Sequence, residues 1–414
     1  MPEPLSMGYP MGRSASTCGY CGPQGERSPA RSNYISASLD SLQLSCKVYQ
    51  QMIDRGWRRS GTWCYKPELR YSCCPQYTIR LHATEFKPSK SQRKLINRWN
   101  RYVLQGKPEE VMDMSTNPGV KAVPRAKTSS FSLTSAIHAS EVGFHSEDSP
   151  AHCFEVIIEP SSYSSEKYAL YERYQEQVHH DTHNSSSGFK RFLVHSPLTR
   201  EPIPYPSSPP SHLPTDYGSY HQLYKLDGEL IAMAVLDVLP FCVSSVYFMY
   251  DSRWEGFSLG KLSAIREITL VQEMREAGAP EMEFLYMGFY IHSCQKMRYK
   301  GQYSPSYLVD PVTCHWYPYK DCASLLDKYR YACFSDPSSS ILGPAEPDDE
   351  SYPPIGEETM ENVRVRLTDC GKSIVIPIFM TNVMNFNELR REVEDCVRGL
   401  GAQLSKEVIL TFDE

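Results

Sequence analysis

Across 414 residues no stretch approaches 18 uninterrupted apolar residues, and the most apolar region, LIAMAVLDVLPFCV, is broken by Asp237 and Pro240. A run that short excludes a membrane-spanning helix. The opening MPEPLSMGYPMGRSASTCGY has no apolar core of the length a secretory signal needs. Also missing are Gly-x-Ser-x-Gly, the phosphate loop Gly-x-x-x-x-Gly-Lys-[Ser/Thr] and His-Glu-x-x-His. Their absence argues against the common hydrolases, nucleotide kinases and zinc proteases, and no nucleotide cofactor is expected. An acyl transfer without a covalent intermediate stays open. Lys and Arg are absent between Arg330 and Arg364, while that gap holds eight acids: Asp336, Glu346, Asp348, Asp349, Glu350, Glu357, Glu358 and Glu361.

The formal charge of −6 is mild, and setting those acids aside leaves a small positive balance. Local basic surfaces are therefore available without the strong overall charge of a DNA-binding protein. Fourteen cysteines in so long a chain favour a reducing, cytosolic or nuclear setting with free or metal-binding thiols. Hydrophobic residues make up 41% of the chain, enough for real cores.

Composition divides the chain into a Cys-rich region ending in a basic helix (1–105), a Ser/Thr/Pro/Lys-rich linker (106–150) and a main block (151–334). The main block contains the proline-rich loop EPIPYPSSPPSHLP at 201–214. An acidic disordered segment (335–360) and a small α/β extension (361–414) follow. Within the main block, Asp227-Gly228 joins two β-prone runs as a hairpin. CVSSVYFMYD reads as a strand, LGKLSAIREITLVQEMREAG as a buried helix and EFLYMGFYI as a strand. The expected class is α+β: a Cys-rich metal-binding region followed by an acyltransferase-like domain. Hairpin, strand, helix, strand is the core order of a GNAT-type acyltransferase, and on pattern alone other α+β folds share it.

Four groups of residues could carry chemistry. Cys18 and Cys21 have the C-x-x-C spacing that turns two thiolates toward one ion, and adjacent Cys73 and Cys74 could complete four sulfur ligands for zinc or an iron–sulfur cluster. In FKPSKSQRKLINRWNRYV, Ser89 and Gln92 fit a capping box, and Lys90, Arg93, Lys94, Arg98 and Arg101 fall largely along one side of the ensuing helix, suited to phosphate backbone or to solvent. The stretch YMGFYIHSCQKMRYKGQYSP mixes Tyr290, His292, Lys296, Arg298, Tyr299 and Lys300, the rings and cations that stack bases and neutralise phosphates. Arg266-Glu267 places two charges in the buried helix, where they must pair or serve a site.

STCGYC, IDRGWRRSGTWCYKP, SCCPQYTIR and FKPSKSQRK in the first part, with YHQLYKLDGELIAMAVLDVLP, CVSSVYFMYD, LGKLSAIREI and YMGFYIHSCQKMRYKGQYSPSYLVDP in the second, resemble the eukaryotic arginyl-tRNA–protein transferases. The resemblance covers most of 16–104 and 217–311. It implies transfer of arginine from its tRNA ester to the α-amine of proteins beginning with Asp, Glu or oxidised Cys, marking them for ubiquitin-dependent degradation. It also implies a zinc or iron–sulfur site at Cys18, Cys21, Cys73 and Cys74, and a GNAT-like catalytic domain whose groove receives aminoacyl-tRNA. On this reading Glu267 and His221 are candidates for the base or an orienting group, and Asp227, Asp237 and Asp251 for holding the arginine side chain. Arg80, Lys296 and Lys300 are candidates for receiving the acidic N-terminus or the tRNA. Arg266, Tyr290, His292, Arg298 and Tyr299 complete the expected substrate-binding set. The partners expected are arginyl-tRNA and proteins with acidic N-termini, with neither membrane nor DNA. Two rival readings are a leucyl-type transferase and a non-catalytic metal-dependent regulator that binds RNA or N-termini.

Overall fold

The computed structural model describes residues 5–23, 26–106, 131–144, 149–346, 352, 354–369 and 372–412. Two mixed sheets share one continuous apolar core. The first runs, in spatial order, Lys372–Pro377, Arg364–Asp369, Val408–Thr411, Ser6–Pro10, Ser28–Gln43, Trp63–Pro67, Arg58–Ser60, with Ser14–Cys18 also pairing on Ser28–Gln43. The second runs Trp316–Pro318, Ser306–Val309, Tyr77–His82, Phe284–Tyr290, Cys242–Tyr250, Glu229–Val238, Asp216–Leu226, Phe154–Pro160. Among the described residues no helix is long and apolar enough to cross a membrane.

The two sheets cut across the expected segments. Residues 361–414 add three strands to the N-terminal sheet, Ser6 pairing with Val408 in parallel. Their helix Asn387–Leu404 packs on the same sheet, where Gly399 lets the Trp57 indole approach and accepts its Nε1–H at 3.0 Å. An added Cβ at Gly399 would stand 2.5 Å from the Ala37 Cβ and 2.8 Å from the Trp57 ring. In the other direction Tyr77–His82, from the first region, sits inside the second sheet. Of the expected linker, 107–130 and 145–148 lie outside the described residues, whereas the helix Leu133–His138 packs on the helix Leu259–Glu276. Of the segment expected to be disordered, 347–351 and 353 lie outside the described residues. The part before it is ordered by a Tyr331–Ile341 bridge and by Asp336 capping a short turn.

The hairpin forms as the sequence predicts, with Asp227 (φ 52°) and Gly228 (φ 81°) both left-handed, as a tight two-residue hairpin turn requires. Helix Leu259–Glu276 is buried almost all round its axis. The neighbouring strands Cys242–Tyr250 and Phe284–Tyr290 run parallel but pair over only three residues, Cys242–Ser244 against Phe284–Tyr286. Beyond Tyr286 a bulge at Gly288 (φ +67°) turns the second strand away. The two strands thereby separate in front of the helix.

One buried ion pair joins the sheets. Arg59, on the edge strand of the first sheet, donates from Nη2 (2.6 Å) and Nε (2.8 Å) to the two oxygens of Asp237 in the second. Ser219 bridges the pair, and both side chains are at most 2% exposed. Removing one partner strands the other charge in the core. Asp237→Asn is therefore expected to lower the unfolding free energy by about 3–5 kcal/mol in urea titrations. Asp227→Asn, at the exposed hairpin turn, is expected to cost less than about 1 kcal/mol.

Candidate active site and thiol cluster

The separation of the two strands opens a groove of about 840 Å³. Its floor is the start of the helix Leu259–Glu276, its walls are Ser244–Tyr250 and Met287–Phe289, and its rim carries Lys296, Met297, Tyr299 and Lys300. Trp63, Tyr65, Tyr174, Tyr247, Phe248 and Tyr250 make it strongly aromatic. The stretch 286–305 is therefore a strand end, a bulge and a short helical turn wrapped around one edge of the groove.

Glu267 projects into the groove from the helix. It is 2% exposed and accepts from the Ser263 hydroxyl at 2.7 Å. Burial pushes its pKa up to about 7, against the pull of the Ser263 and Ser245 hydroxyls and of the Lys300 charge. Lys300, 9% exposed, donates to the Phe289 carbonyl at 2.8 Å. Burial, reinforced by the neighbouring Arg58, lowers its pKa to about 7. A carboxyl and an amine on one groove, shifted toward each other from opposite ends of the scale, are suited to moving protons at neutral pH.

Arg58 escaped the sequence reading although it lies in the quoted IDRGWRRSGTW. Its guanidinium is bonded only to carbonyls, Trp57 O at 2.6 Å and the more distant Ile53 and Gly288, and stands 5.0 Å from the Phe289 ring centre. Among the described residues no ion pair reaches it, and burial presses its pKa below the usual guanidinium value. Two adjacent arginines on a three-residue strand were the available signal. Alternation sends Arg59 into the inter-sheet core and Arg58 to the groove.

Several expected substrate residues are engaged elsewhere. His221 is fully buried between the Leu193 carbonyl (2.9 Å) and Lys167 Nζ (3.0 Å). Burial holds its pKa at about 4, and it does not line the groove. Asp237 is taken by Arg59, Asp251 by Arg173 and Arg253, and Asp227 by His152 and the Cys153 N–H. Arg80 lies between the Phe284 and Trp316 rings at 4.1 and 3.9 Å. His292 bonds to Asp327 and to Tyr290, whose hydroxyl also meets Tyr319. Arg298 lies beside Tyr290 and outside the groove lining. Arg266 leaves the helix on another face, pairing with Glu141 (3.0 Å) and Glu273 (3.3 Å). His138 bridges those same two carboxylates at 2.7 and 2.6 Å, and His212 reaches Glu273 at 3.3 Å, so this convergence is a closed charge network. Of the expected set, Glu267, Lys296, Tyr299 and Lys300 meet at the groove.

Lys90–Gln105 is a helix with the expected capping box, Ser89 Oγ accepting from Gln92 N and Gln92 Oε1 from Ser89 N. Lys90, Arg93, Lys94 and Arg101 are exposed, while Ile96, Trp99 and Val103 are buried. Arg98 donates to the Gly256 carbonyl at 2.8 Å, and Trp99 packs on Trp254 and Phe257. The basic helix is thus fastened to the turn Ser252–Phe257, which brings Glu255 to the groove rim.

Cys18, Cys21, Cys73 and Cys74 converge as the sequence predicts, their sulfurs all within 4.8 Å of one another and Cys21 Sγ 3.7 Å from Cys73 Sγ. Burial alone would raise Cys18, but the Tyr20 N–H and the facing thiols more than offset it and its pKa falls; burial pushes Cys74 up to about 12. A donor set of four sulfurs with a backbone N–H already aimed at one of them is suited to a thiophilic metal. The cluster packs on Phe289 and Ile291, and Tyr20 and Met297 are shared between it and the groove.

The fold is mixed α/β, with a thiol cluster able to hold a metal ion beside a groove that brings a shifted carboxyl and a shifted amine together. Comparison with known proteins gives the family. Residues 16–94 match the model of the arginine-tRNA-protein transferase N terminus and residues 166–310 that of its C terminus. Arginyl-tRNA–protein transferase 1 of Drosophila melanogaster is 30% identical, covering 93% of each chain. Its Arabidopsis thaliana counterpart is 32% identical, covering 78% of this chain and 75% of that one. An aspartate/glutamate leucyltransferase of Pseudomonas fluorescens is 26% identical over 64% of this chain and 82% of its own. The chain belongs to the arginyl-tRNA–protein transferase family.

The two shifted groups oppose each other in stability. Glu267, with its pKa raised, stabilises most below about 4.5, and that contribution is lost as pH rises through about 7. Lys300, with its pKa lowered, contributes above about 10.5, and that is lost as pH falls through about 7. Their combined contribution is therefore smallest near pH 7. Infrared difference spectra should show a buried carboxyl titrating near 7 that Glu267→Gln removes. The same variant should shrink the fall in unfolding free energy between pH 5 and 7 by up to about 3 kcal/mol.

Proposed function

We propose that the protein transfers arginine from arginyl-tRNA to the α-amine of proteins beginning with Asp, Glu or oxidised Cys, and so marks them for ubiquitin-dependent degradation in the cytosol or nucleus. The observation that carries the reading is the groove itself, where Glu267, Lys300 and Arg58 meet between separating parallel strands at the start of a long helix. That separation also supports the GNAT-type reading of the fold. The basic face of Lys90–Gln105 offers phosphate contacts continuous with the rim, so the acceptor stem lies there while the aminoacylated 3′ end enters. The positive end of the helix Leu259–Glu276 lies on the groove lining and favours the terminal phosphates.

An acceptor α-ammonium has a pKa near 8, so only about a tenth is neutral at pH 7. Ionised Glu267 takes its proton. The freed nitrogen attacks the ester carbonyl, Glu267 passes the proton it holds to the ribose oxygen as the C–O bond breaks, and the regenerated carboxylate then takes the nitrogen's second proton as the amide forms and releases it to solvent. Holding both reactants in place supplies up to about 7–11 kcal/mol, and the base about 100-fold more. Arg58 and Lys300 provide the positive field that an acidic first residue satisfies and a neutral one does not. Glu255 and the aromatic wall of Tyr247, Phe248 and Tyr250 offer the arginine side chain a carboxylate and flat faces.

At the thiol cluster, zinc–sulfur bonds of about 2.3 Å place the sulfurs of a tetrahedral site about 3.8 Å apart. The 3.7 Å separation of Cys21 and Cys73 supports a single ion such as zinc over the wider iron–sulfur cluster. When bound, the ion cross-links Ser14–Cys18 to the loop before Tyr77–His82 and so braces the groove edge.

A second reading, transfer of leucine, is favoured by the Pseudomonas relative's name, which also supports acidic acceptors. Labelled arginyl- and leucyl-tRNA, each offered to peptides beginning with Asp and with Ala, separate the readings. Transfer of arginine to the Asp peptide alone is expected, and leucine transfer would install the second reading. No transfer of either from metal-replete protein would overturn both in favour of a binding protein. Elemental analysis should find one zinc per chain, and iron with acid-labile sulfide would reverse the metal assignment. Chelation is expected to lower the melting temperature and abolish transfer together.

A further inference from the structure

A second polar cavity, of about 120 Å³, lies on the seam between the two sheets and shares no residue with the groove. Three cations line it: Arg55 just after the helix Cys46–Asp54, Lys66 on the strand Trp63–Pro67, and Arg398 on the C-terminal helix. The side chains of Arg55 and Lys66 make no hydrogen bond or ion pair with any described residue, although both are half-buried. Arg398 keeps one nitrogen on Asp395 at 2.9 Å and stacks 5.2 Å over the Tyr352 ring. The buried Nε atoms of Arg55 and Arg398 have no acceptor among the described residues. Thr78, 1% exposed, also lines the cavity with a hydroxyl that has no partner among them. Opposite it, Gly56 (φ +89°) would place a side chain 3.9 Å from that hydroxyl, so the missing Cβ leaves it reachable.

No acid on the lining forms an ion pair with these cations among the described residues, although Glu68 lies within electrostatic reach of Lys66, whose own pKa burial lowers. Asp310 accepts from Thr313 N (2.7 Å), Phe334 N (2.8 Å) and Ser335 N (2.9 Å), its charge spent on its own loop. Glu68 accepts from Arg70 N (3.2 Å) and Tyr352 Oη (3.4 Å), and burial raises its pKa, easing its neutral form. Half-buried cations without partners are costly, and donors converging from three chain segments are the complement of an oxyanion. The cavity has room for a small tetrahedral oxyanion and its hydration.

We propose that this cavity is a binding site for a phosphate-type oxyanion, held by Arg55, Lys66, Arg398 and Thr78. Such a group has two sources, a free phosphate-bearing small molecule or a phosphate of the RNA chain; only the second rests on the transferase reading above.

The test titrates inorganic phosphate into the full metal-replete chain by calorimetry, with Lys66→Gln, Arg55→Gln and the groove-rim variant Lys296→Gln in parallel. Saturable binding at one site per chain is expected. It should weaken at least about tenfold in Lys66→Gln and in Arg55→Gln, the worth of one charge-assisted hydrogen bond, and stay unchanged in Lys296→Gln. In phosphate-free buffer Lys66→Gln should melt no lower than the unmodified chain, because it removes an unpaired cation; this also certifies its fold. Phosphate binding of equal strength in all three variants, or none to the unmodified chain, would overturn the proposal. Competition between phosphate and uncharged tRNA, with tRNA affinity lowered in Lys66→Gln, would assign the site to RNA. Binding of both without competition would assign it to a free phosphate compound.

Discussion

The Arg59–Asp237 pair is the constraint on which the remaining geometry rests. It spans from the short edge strand of one sheet to an interior strand of the other, with both ends buried and the remaining donors met by Ser219 and the Gly61 carbonyl. A strand of three residues has little pairing of its own to hold it. The ion pair fixes its position and, because side chains alternate, the direction of its neighbour. Arg58 faces the groove because Arg59 faces the core. Buried pairs are weak sources of net stability and strong determinants of arrangement, since any other docking of the sheets leaves two charges without partners.

From that fixed edge the groove follows in order. Trp63 and Tyr65, on the next strand, supply one aromatic side, and Gly288 bends the opposite strand away after three paired residues. The strand then runs through Phe289 and Ile291 into the four-thiol cluster, whose Tyr20 returns to the groove lining. The aromatic and cationic stretch at 286–305 is therefore one wall with two supports, a bulge at its start and a sulfur site along its flank. Local sequence explains the first. The second needs residues more than 200 positions away.

That difference marks what the sequence made legible. The hairpin at Asp227-Gly228, the capping box at Ser89, the buried helix 259–276 and the convergence of Cys18, Cys21, Cys73 and Cys74 depend on local periodicity, turn chemistry or ligand spacing. Glu267 stood out because the helix 259–276 is buried almost all round, so a charge on it must pair or serve a site. The carboxylates of Asp227, Asp237 and Asp251 were not distinguishable from one another, because each looks like a substrate ligand until the side chain opposite it is known. Those partners come from residues 59, 152, 173 and 253. His221 failed for a related reason, since its strand is buried on both faces and period two does not say which face holds the groove. The tail 361–414 reads as a small α/β extension with no partner evident in the sequence, because its pairing with Ser6–Pro10 closes across nearly the whole chain.

The groove's charge balance bears on acceptor choice in the proposed reaction. Glu267 and Lys300 are each held near the point where charged and neutral forms are equal, and Arg58 stands beside them with no carboxylate partner among the described residues. A protein beginning with Ala brings one positive charge to a site that already has an excess of them. One beginning with Asp brings the same ammonium and also a carboxylate, which Arg58 and Lys300 can receive while Glu267 takes the ammonium proton. Pairing Lys300 with that carboxylate raises its pKa, and the charged form it then keeps draws Glu267 toward the ionised form that serves as base. On this reading acidic acceptors are selected less by tighter binding than by switching on the proton acceptor, so selectivity and catalysis rest on the same three side chains.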